Sequence, residues 1–97
     1  TGRMISAREA LDFGLVARVV AKEAWLTEAK RVAHEIASKG PIAVRLAKEA
    51  VDEAFEAPLA AGIAFERRSF YLARASEDAG EGLNAFVEKR PPDFKGK

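Results

Sequence analysis

The sequence predicts a mainly α-helical region of about five helices with one short strand-like segment. Three observations indicate this fold class. Apolar residues make up 48% of the chain, many of them alanine, which is the strongest helix former. These residues recur at spacings of three and four, which places them along one side of a helix. Serines, glycines and prolines separate the periodic stretches at the points where helices would begin and end.

The first predicted helix begins at a capping box. Ser6 and Glu9 have the S-x-x-E spacing, in which each side chain pairs with the backbone N–H of the other residue. Gly14 follows and supplies the left-handed conformation that ends the helix. The β-branched residues of Leu15–Val20 then predict the strand-like segment. No second strand is predicted within the chain, so this segment either pairs with sequence outside the chain, which we favour, or is an extended connector.

A glycine and a proline separate the second and third predicted helices. The second extends over about residues 22–39 and the third over about 41–56. Gly40 is predicted to cap the C-terminus of the second, and Pro41 to open the third, where its missing N–H costs nothing. Each has one apolar face, with Leu26, Ala29, Val32, Ala33, Ile36 and Ala37 in the second helix and Val44, Ala47, Val51, Ala54 and Phe55 in the third.

Pro58 opens the fourth predicted helix, whose inner face is expected to hold Leu59, Ile63, Phe70 and Ala73. Glu66 lies close to this face. A partly buried carboxylate has a raised pKa and is suited to general acid or base catalysis. We favour the alternative of an ion pair with nearby Arg67 or with an arginine from another helix, because structural ion pairs are common around such residues.

Acidic residues begin the fifth predicted helix and basic residues end it. Ser76 caps it, and two acids follow in the first turn, where the helix dipole favours anions. Lys89 and Arg90 are predicted to lie in its last turn, before Pro91-Pro92 stops it. Its apolar side is formed by Leu83, Phe86 and Val87.

Composition excludes several classes of protein. The 97 residues suffice for one small domain, and 16 basic against 15 acidic residues give a net charge of +1, without the basic stripe typical of nucleic-acid binding. There is no cysteine, so disulfide scaffolds and thiolate metal sites are excluded. No apolar run approaches the roughly 20 residues that span a membrane. We expect a cytoplasmic protein, and the start at Thr1-Gly2-Arg3 suggests the C-terminal piece of a longer one.

No complete catalytic constellation is visible in the chain. His34 is the sole histidine, and without nearby ligands or carboxylate pairs we interpret it as structural. Gly80-Glu81-Gly82 is too short for a phosphate-binding loop. Phe86 and Lys89, three residues apart on one helix, have two interpretations. They are a core aromatic beside a lysine that extends to solvent, or a small site for a purine ring and a phosphate. Residue chemistry alone favours the first.

Four stretches together carry a family resemblance. They are residues 1–10 (T-G-R-M-I-S-A-R-E-A), 14–20 (G-L-V-A-R-V-V), 41–48 (P-I-A-V-R-L-A-K) and 77–94, which contains E-D, E-G, A-F and E-K-R-P-P-D-F. In this order, over essentially all 97 residues, they resemble the C-terminal region of the crotonase superfamily, the enoyl-CoA hydratase/isomerase group.

The resemblance implies that residues 1–97 are the C-terminal helical (trimerisation) domain of a crotonase-like fold, preceded by an N-terminal ββα spiral core. In the family, two backbone N–H groups hold the thioester oxygen and stabilise an enolate, and two glutamates of hydratases handle water and the α-proton. These elements lie upstream of the T-G segment. No catalytic residue is therefore assigned here, and the isolated chain is expected to be inactive.

The resemblance further implies that Phe86 and Lys89 bind the nucleotide end of CoA, often across a subunit boundary. The expected parent is an enoyl-CoA hydratase, a lyase that converts trans-2-enoyl-CoA to 3-hydroxyacyl-CoA in fatty-acid or related metabolism. Another crotonase-type acyl-CoA isomerase or lyase, or a stand-alone helical self-association module, is the alternative. The expected partners are an acyl-CoA substrate and copies of the chain, as a trimer or dimer of trimers. No cofactor, metal, nucleic acid or membrane is expected.

Overall fold

The structure, a computed structural model, describes residues Gly2–Lys97, so Thr1 of the T-G segment lies outside the described residues. Five helices are found there, which confirms the mainly α fold class. They are α1 (Ala7–Asp12), α2 (Trp25–Ala37), α3 (Pro41–Glu56), α4 (Leu59–Arg74) and α5 (Glu77–Glu88). None of these helices combines the length and the apolar character that crossing a bilayer requires.

The chain divides into two compact units, one ending at Ala33 and the other extending over His34–Lys97. The assignment of residues 1–97 to a single helical domain stays a prediction. The candidate site lies in the second unit.

The predicted capping box is present at the start of α1. The Ser6 N–H donates to Glu9 Oε2 at 2.8 Å, and the Glu9 N–H donates to Ser6 Oγ at 3.2 Å. The Ser6 N–H, the Arg3 guanidinium and the Ser6 hydroxyl each donate to the Glu9 carboxylate and lower its pKa, the Ser6 N–H most strongly. Gly14 has a φ of 74° and follows the end of α1, as predicted.

The strand-like segment at Leu15–Val20 adopts bends and irregular backbone, and no strand occurs anywhere in Gly2–Lys97. Its pairing with sequence outside the chain stays a prediction. A β-strand needs a neighbour to accept and donate its backbone hydrogen bonds, and the described chain offers none. β-branched residues alone do not impose a strand.

Gly40 is not the C-terminal cap of α2 that we predicted. It has a φ of −59° and precedes α3 as its N-cap. The end of α2 is already satisfied upstream, since the Ser38 N–H donates to the His34 carbonyl at 2.9 Å and the Lys39 N–H to the Ile36 carbonyl at 3.0 Å. Pro41 opens α3, as predicted.

In the second unit, α3 and α4 pack as a helical hairpin, and α5 packs against α4. The buried apolar side chains among the described residues are few, namely Leu46 of α3 and Ala85 of α5. Ser69 and Asp78 are the buried polar residues among those described. The apolar faces predicted for the helices are therefore left largely exposed, because the described residues contain nothing that covers them.

Candidate functional site

The two predicted site residues lie at the C-terminal end of α5. Phe86 is in the last turn and is 83% exposed. Lys89 is one residue beyond the helix, and its backbone N–H donates to the Phe86 carbonyl at 3.3 Å. No hydrogen bond or ion pair joins the Lys89 ammonium to any residue within the described Gly2–Lys97. An aromatic ring and a cation are therefore both open to a ligand, separated by one turn of backbone.

The sequence predicted Lys89 in the last turn of α5, but in the structure it lies one residue beyond the helix. It has φ 54° and ψ 39°, the left-handed conformation, and is the sole non-glycine residue with positive φ among those described. This conformation costs a residue with a Cβ about 1–2 kcal/mol. Its left-handed backbone takes Lys89 out of the helical path, so the three-residue spacing from Phe86 does not place the two side chains on one helical face.

A Schellman motif produces this early end of α5. The Arg90 N–H donates to the Ala85 carbonyl at 3.0 Å, and the Lys89 N–H donates to the Phe86 carbonyl. The motif requires a left-handed residue, which the chain supplies as Lys89 rather than glycine. Pro91 contributes to the early end, because a residue that precedes proline is disfavoured in the α conformation. The helix thus ends at Glu88, before the prolines themselves could stop it.

Arg90, the residue after Lys89, forms a bidentate ion pair with the Glu81 carboxylate, which is called the fork below. Arg90 Nη1 and Nη2 donate to the two oxygens of Glu81 at 2.6 and 2.8 Å, and Arg90 Nε donates to Glu88 at 2.5 Å. The Asp93 N–H adds a bond to Glu81 at 2.8 Å. The Arg90 hydrogen bonds, followed by that of Asp93, lower the pKa of Glu81 to about 2. Both partners stay charged throughout the physiological range.

A second carboxylate holds the C-terminal tail, residues 91–97, against the start of α5. The buried Asp78 accepts the Lys95 N–H at 2.7 Å and the Gly96 N–H at 2.8 Å, one on each carboxylate oxygen. The Asp78 N–H in turn donates to the Lys97 carbonyl at 3.1 Å. The tail therefore folds back on the helix that it follows, and its backbone donors satisfy a charge that would otherwise be buried without partners.

The ring of Phe94, a residue of the tail, lies close to Gly82 of α5 and to Gly40, which precedes α3. A methyl group placed on Gly82 would lie 3.5 Å from its ring, and one placed on Gly40 would lie 3.8 Å from it. Gly82 of α5 thus faces the tail, and Ala85 of the same helix is almost fully buried. The larger apolar residues of α5 face outward, since Leu83 is 50% exposed and Val87 is 78% exposed.

An apolar groove of about 760 Å³ runs between α3 and α4. Its walls hold the faces that the sequence predicted as core, including Val51, Phe55, Leu59, Ile63 and Phe70. Phe55 and Leu59 are 85% and 80% exposed. The helical periodicity identified these faces correctly, but the described chain does not cover them.

Glu66 and His34, the two titratable residues considered in the sequence analysis, are both exposed in the structure. Glu66 lines the α3–α4 groove but is exposed, and the predicted ion pair with Arg67 is not observed among the residues described. His34 is exposed in the last turn of α2. Within Gly2–Lys97, no group of three or more histidine, aspartate or glutamate residues is placed to hold a metal ion.

The sequence analysis missed the residues that position the end of α5. Glu81 and Arg90 are nine residues apart, beyond the three- and four-residue spacings of helical ion pairs, and Asp78 and Lys95 are seventeen apart. A signal existed in the Pro91-Pro92 pair, which makes the chain leave the helix direction. It predicts a change of direction but does not identify the contacts of the tail.

Comparisons with known proteins cover the whole chain. A family model described as "Enoyl-CoA hydratase/isomerase" matches residues 1–97. The "Probable enoyl-CoA hydratase echA8" of Mycobacterium bovis is 50% identical over 94 residues, which cover 97% of this chain and 37% of that protein. The "Probable enoyl-CoA hydratase, mitochondrial" of Dictyostelium discoideum is 47% identical over 97 residues, 35% of its length.

Solved structures are similar over the same extent. A crystal structure of enoyl-CoA hydratase from Bacillus anthracis has a TM-score of 0.94 and 45% identity over 99% of this chain and 37% of that one. An enoyl-CoA hydratase structure from Geobacillus kaustophilus has a TM-score of 0.90 and 50% identity, with the same coverage of both chains. The chain thus spans about 37% of the length of these relatives.

Proposed function

The chain belongs to the enoyl-CoA hydratase/isomerase family, and from this premise we propose that it forms the C-terminal helical region of an enoyl-CoA hydratase. The complete enzyme adds water to a trans-2-enoyl-CoA and releases a 3-hydroxyacyl-CoA. The observation that supports this most directly is 50% identity to a protein named as an enoyl-CoA hydratase over 97% of the chain. A TM-score of 0.94 to a solved hydratase supports the same fold.

The reaction is tested on the complete protein and on the isolated chain. Complete protein mixed with crotonyl-CoA is expected to form 3-hydroxybutyryl-CoA, identified by mass and by loss of the conjugated thioester absorbance. The isolated 97-residue chain is expected to be inactive, because the described residues contain no constellation able to stabilise an enolate. Turnover by the isolated chain would contradict the proposal that the catalytic residues lie outside it. A complete protein that shifts the double bond without adding water would instead favour an isomerase.

Phe86 and Lys89 are proposed as the rim of the CoA site, at its nucleotide end. The exposed Phe86 ring offers a surface for the adenine, and the ammonium of Lys89 offers a charge for a phosphate. Both groups are open to solvent at one helix end. The rim contributes to binding, and the chemical step belongs to residues outside the chain.

The Lys89→Gly variant tests the rim and is preferable to alanine. Glycine adopts the left-handed conformation of residue 89 without strain, so the substitution removes the ammonium and keeps the backbone. The KM for acyl-CoA is expected to rise about two- to fivefold, as for an exposed ion pair, with kcat unchanged. Lys48→Gln, which removes an exposed lysine of α3, is the matched control. An unchanged KM in Lys89→Gly would count against the rim.

We further propose that the apolar groove between α3 and α4 is covered by another part of the complete protein or by a second subunit. Large apolar side chains such as Phe55 and Leu59 are seldom left this exposed across a continuous face. The isolated chain is expected to sediment as oligomers at micromolar concentration. Phe55→Glu is expected to shift it toward monomer, whereas Arg67→Glu, which alters an exposed and already charged position of α4, is not. A clean monomer of the unsubstituted chain would contradict the proposal.

A further inference from the structure

Lys89 is held in a conformation that its own side chain disfavours. Its φ of 54° is the sole positive value at a non-glycine position in the described chain. Such a residue persists only where its surroundings determine its backbone on both sides. In the chain, α5 precedes Lys89 and Arg90 follows it. Arg90 makes more hydrogen bonds than any residue of the tail.

Arg90 is fully engaged within the protein. Its Nη1 and Nη2 form the bidentate fork with Glu81, its Nε contacts Glu88, and its Nη1 also donates to the Pro91 carbonyl at 3.3 Å. Its backbone N–H completes the Schellman motif through Ala85. Every side-chain nitrogen of Arg90 therefore has a protein acceptor.

These contacts separate the roles of two adjacent cations. A guanidinium bonded to two carboxylates has little charge and few donors left for an anionic ligand. The neighbouring ammonium of Lys89 has no such partner among the residues that the structure describes. A phosphate at this helix end would therefore meet Lys89, while Arg90 determines where Lys89 lies.

We infer that Arg90, held by Glu81, is a positioning residue for the CoA rim: it maintains the left-handed backbone of Lys89 and so directs the ammonium beyond the end of α5. The inference rests on the proposed rim. The positioning role of Arg90 requires something that the rim proposal alone does not. Glu81, on the second turn of α5, must contribute to binding CoA without touching it.

A double-mutant cycle in the complete enzyme tests this inference. The variants are Arg90→Gln, Lys89→Gly and the two combined, and each is assayed with an acyl-CoA and with the matching acyl-N-acetylcysteamine thioester, which lacks the nucleotide. Arg90→Gln is expected to raise the KM for acyl-CoA about two- to fivefold, with kcat unchanged. The KM for the truncated thioester is expected to stay the same. In the Lys89→Gly background, Arg90→Gln is expected to add nothing.

Glu81→Gln and Glu77→Gln form a matched pair. Glu81→Gln removes the charge of the fork and is expected to reproduce the selective rise in KM, whereas Glu77→Gln removes an exposed acid from the first turn of α5 and is expected to change KM by less than about twofold. The ratio of the two KM values is an internal control for folding, since general loss of structure affects both thioesters alike.

The outcomes separate failure of the inference from failure of the rim. If Arg90→Gln and Lys89→Gly raise KM independently and their effects multiply, Arg90 does not act through Lys89 and the inference is overturned. It is also overturned if Arg90→Gln impairs both thioesters equally, because that result indicates a general structural role. If Lys89→Gly leaves the KM ratio unchanged, the rim itself is overturned.

Discussion

Replacing Asp78 by alanine is expected to release the C-terminal tail from the start of α5. The carboxylate accepts the Lys95 and Gly96 N–H groups at 2.7 and 2.8 Å and is itself buried. Hydrogen bonds to a charged group contribute about 1.5–3 kcal/mol each. The two bonds share one carboxylate and are not additive, so we expect the docked tail to lose about 2–4 kcal/mol. That corresponds to a decrease of roughly 30- to 900-fold in the docking equilibrium constant.

Amide hydrogen exchange measures this equilibrium without requiring the whole chain to unfold in one step. The protection factors of Lys95 and Gly96 are expected to fall to those of a free peptide in Asp78→Ala, and to fall less in Asp78→Asn, which keeps one acceptor oxygen. Amides in the middle of α4 are expected to change little. Asp52→Ala is the matched control, because it removes an exposed aspartate from α3.

Protection that survives in Asp78→Ala would refute the reasoning. It would mean that Phe94 and the Arg90–Glu81 fork hold the tail without help from Asp78. Loss of protection in Asp52→Ala as well would indicate a general effect of removing a negative charge.

Three further predictions concern local structure. The pKa of Glu81 is lowered to about 2, so its contribution to tail docking is complete above about pH 4.5 and is lost as the pH falls toward 2. The chemical shift of the Asp93 amide, measured by NMR, should change over this pH range. It should not change in Glu81→Gln. Ser76→Ala removes the acceptor for an N–H of the first turn of α5, at 3.1 Å, and is expected to cost about 1 kcal/mol in urea unfolding of the helix. Gly14→Ala is expected to cost about 1 kcal/mol because φ is 74° there, whereas Gly62→Ala in α4 has open space and is expected to stabilise by a similar amount. Equal melting temperatures for the two glycine variants would contradict the conformational explanation.

The candidate site was predicted in part. The family resemblance identified Phe86 and Lys89, and both are exposed at the end of α5, but their CoA-binding role stays a prediction. The local pattern placed Lys89 inside the helix, because lysine is an ordinary last-turn residue and only glycine or asparagine signals a left-handed cap. The supporting contacts of Glu81 and Arg90 were not predicted, since they join residues nine apart.

By itself the sequence determined the features that depend on interactions within about four residues. The capping box at Ser6, the cap at Ser76, the left-handed Gly14 and the proline start of α3 all form as predicted, because each partner lies within one turn. The order of the four motifs was likewise sufficient to predict the family.

Tertiary structure alone decided the features that depend on distant partners. The segment Leu15–Val20 has β-branched residues but finds no strand to pair with, so it is not a strand. The helices present apolar faces at the predicted spacing, but burial requires a second surface, and along the α3–α4 groove the described residues supply none. The Glu81–Arg90 fork likewise joins residues nine apart along the chain, so no pattern within one helical turn predicts it.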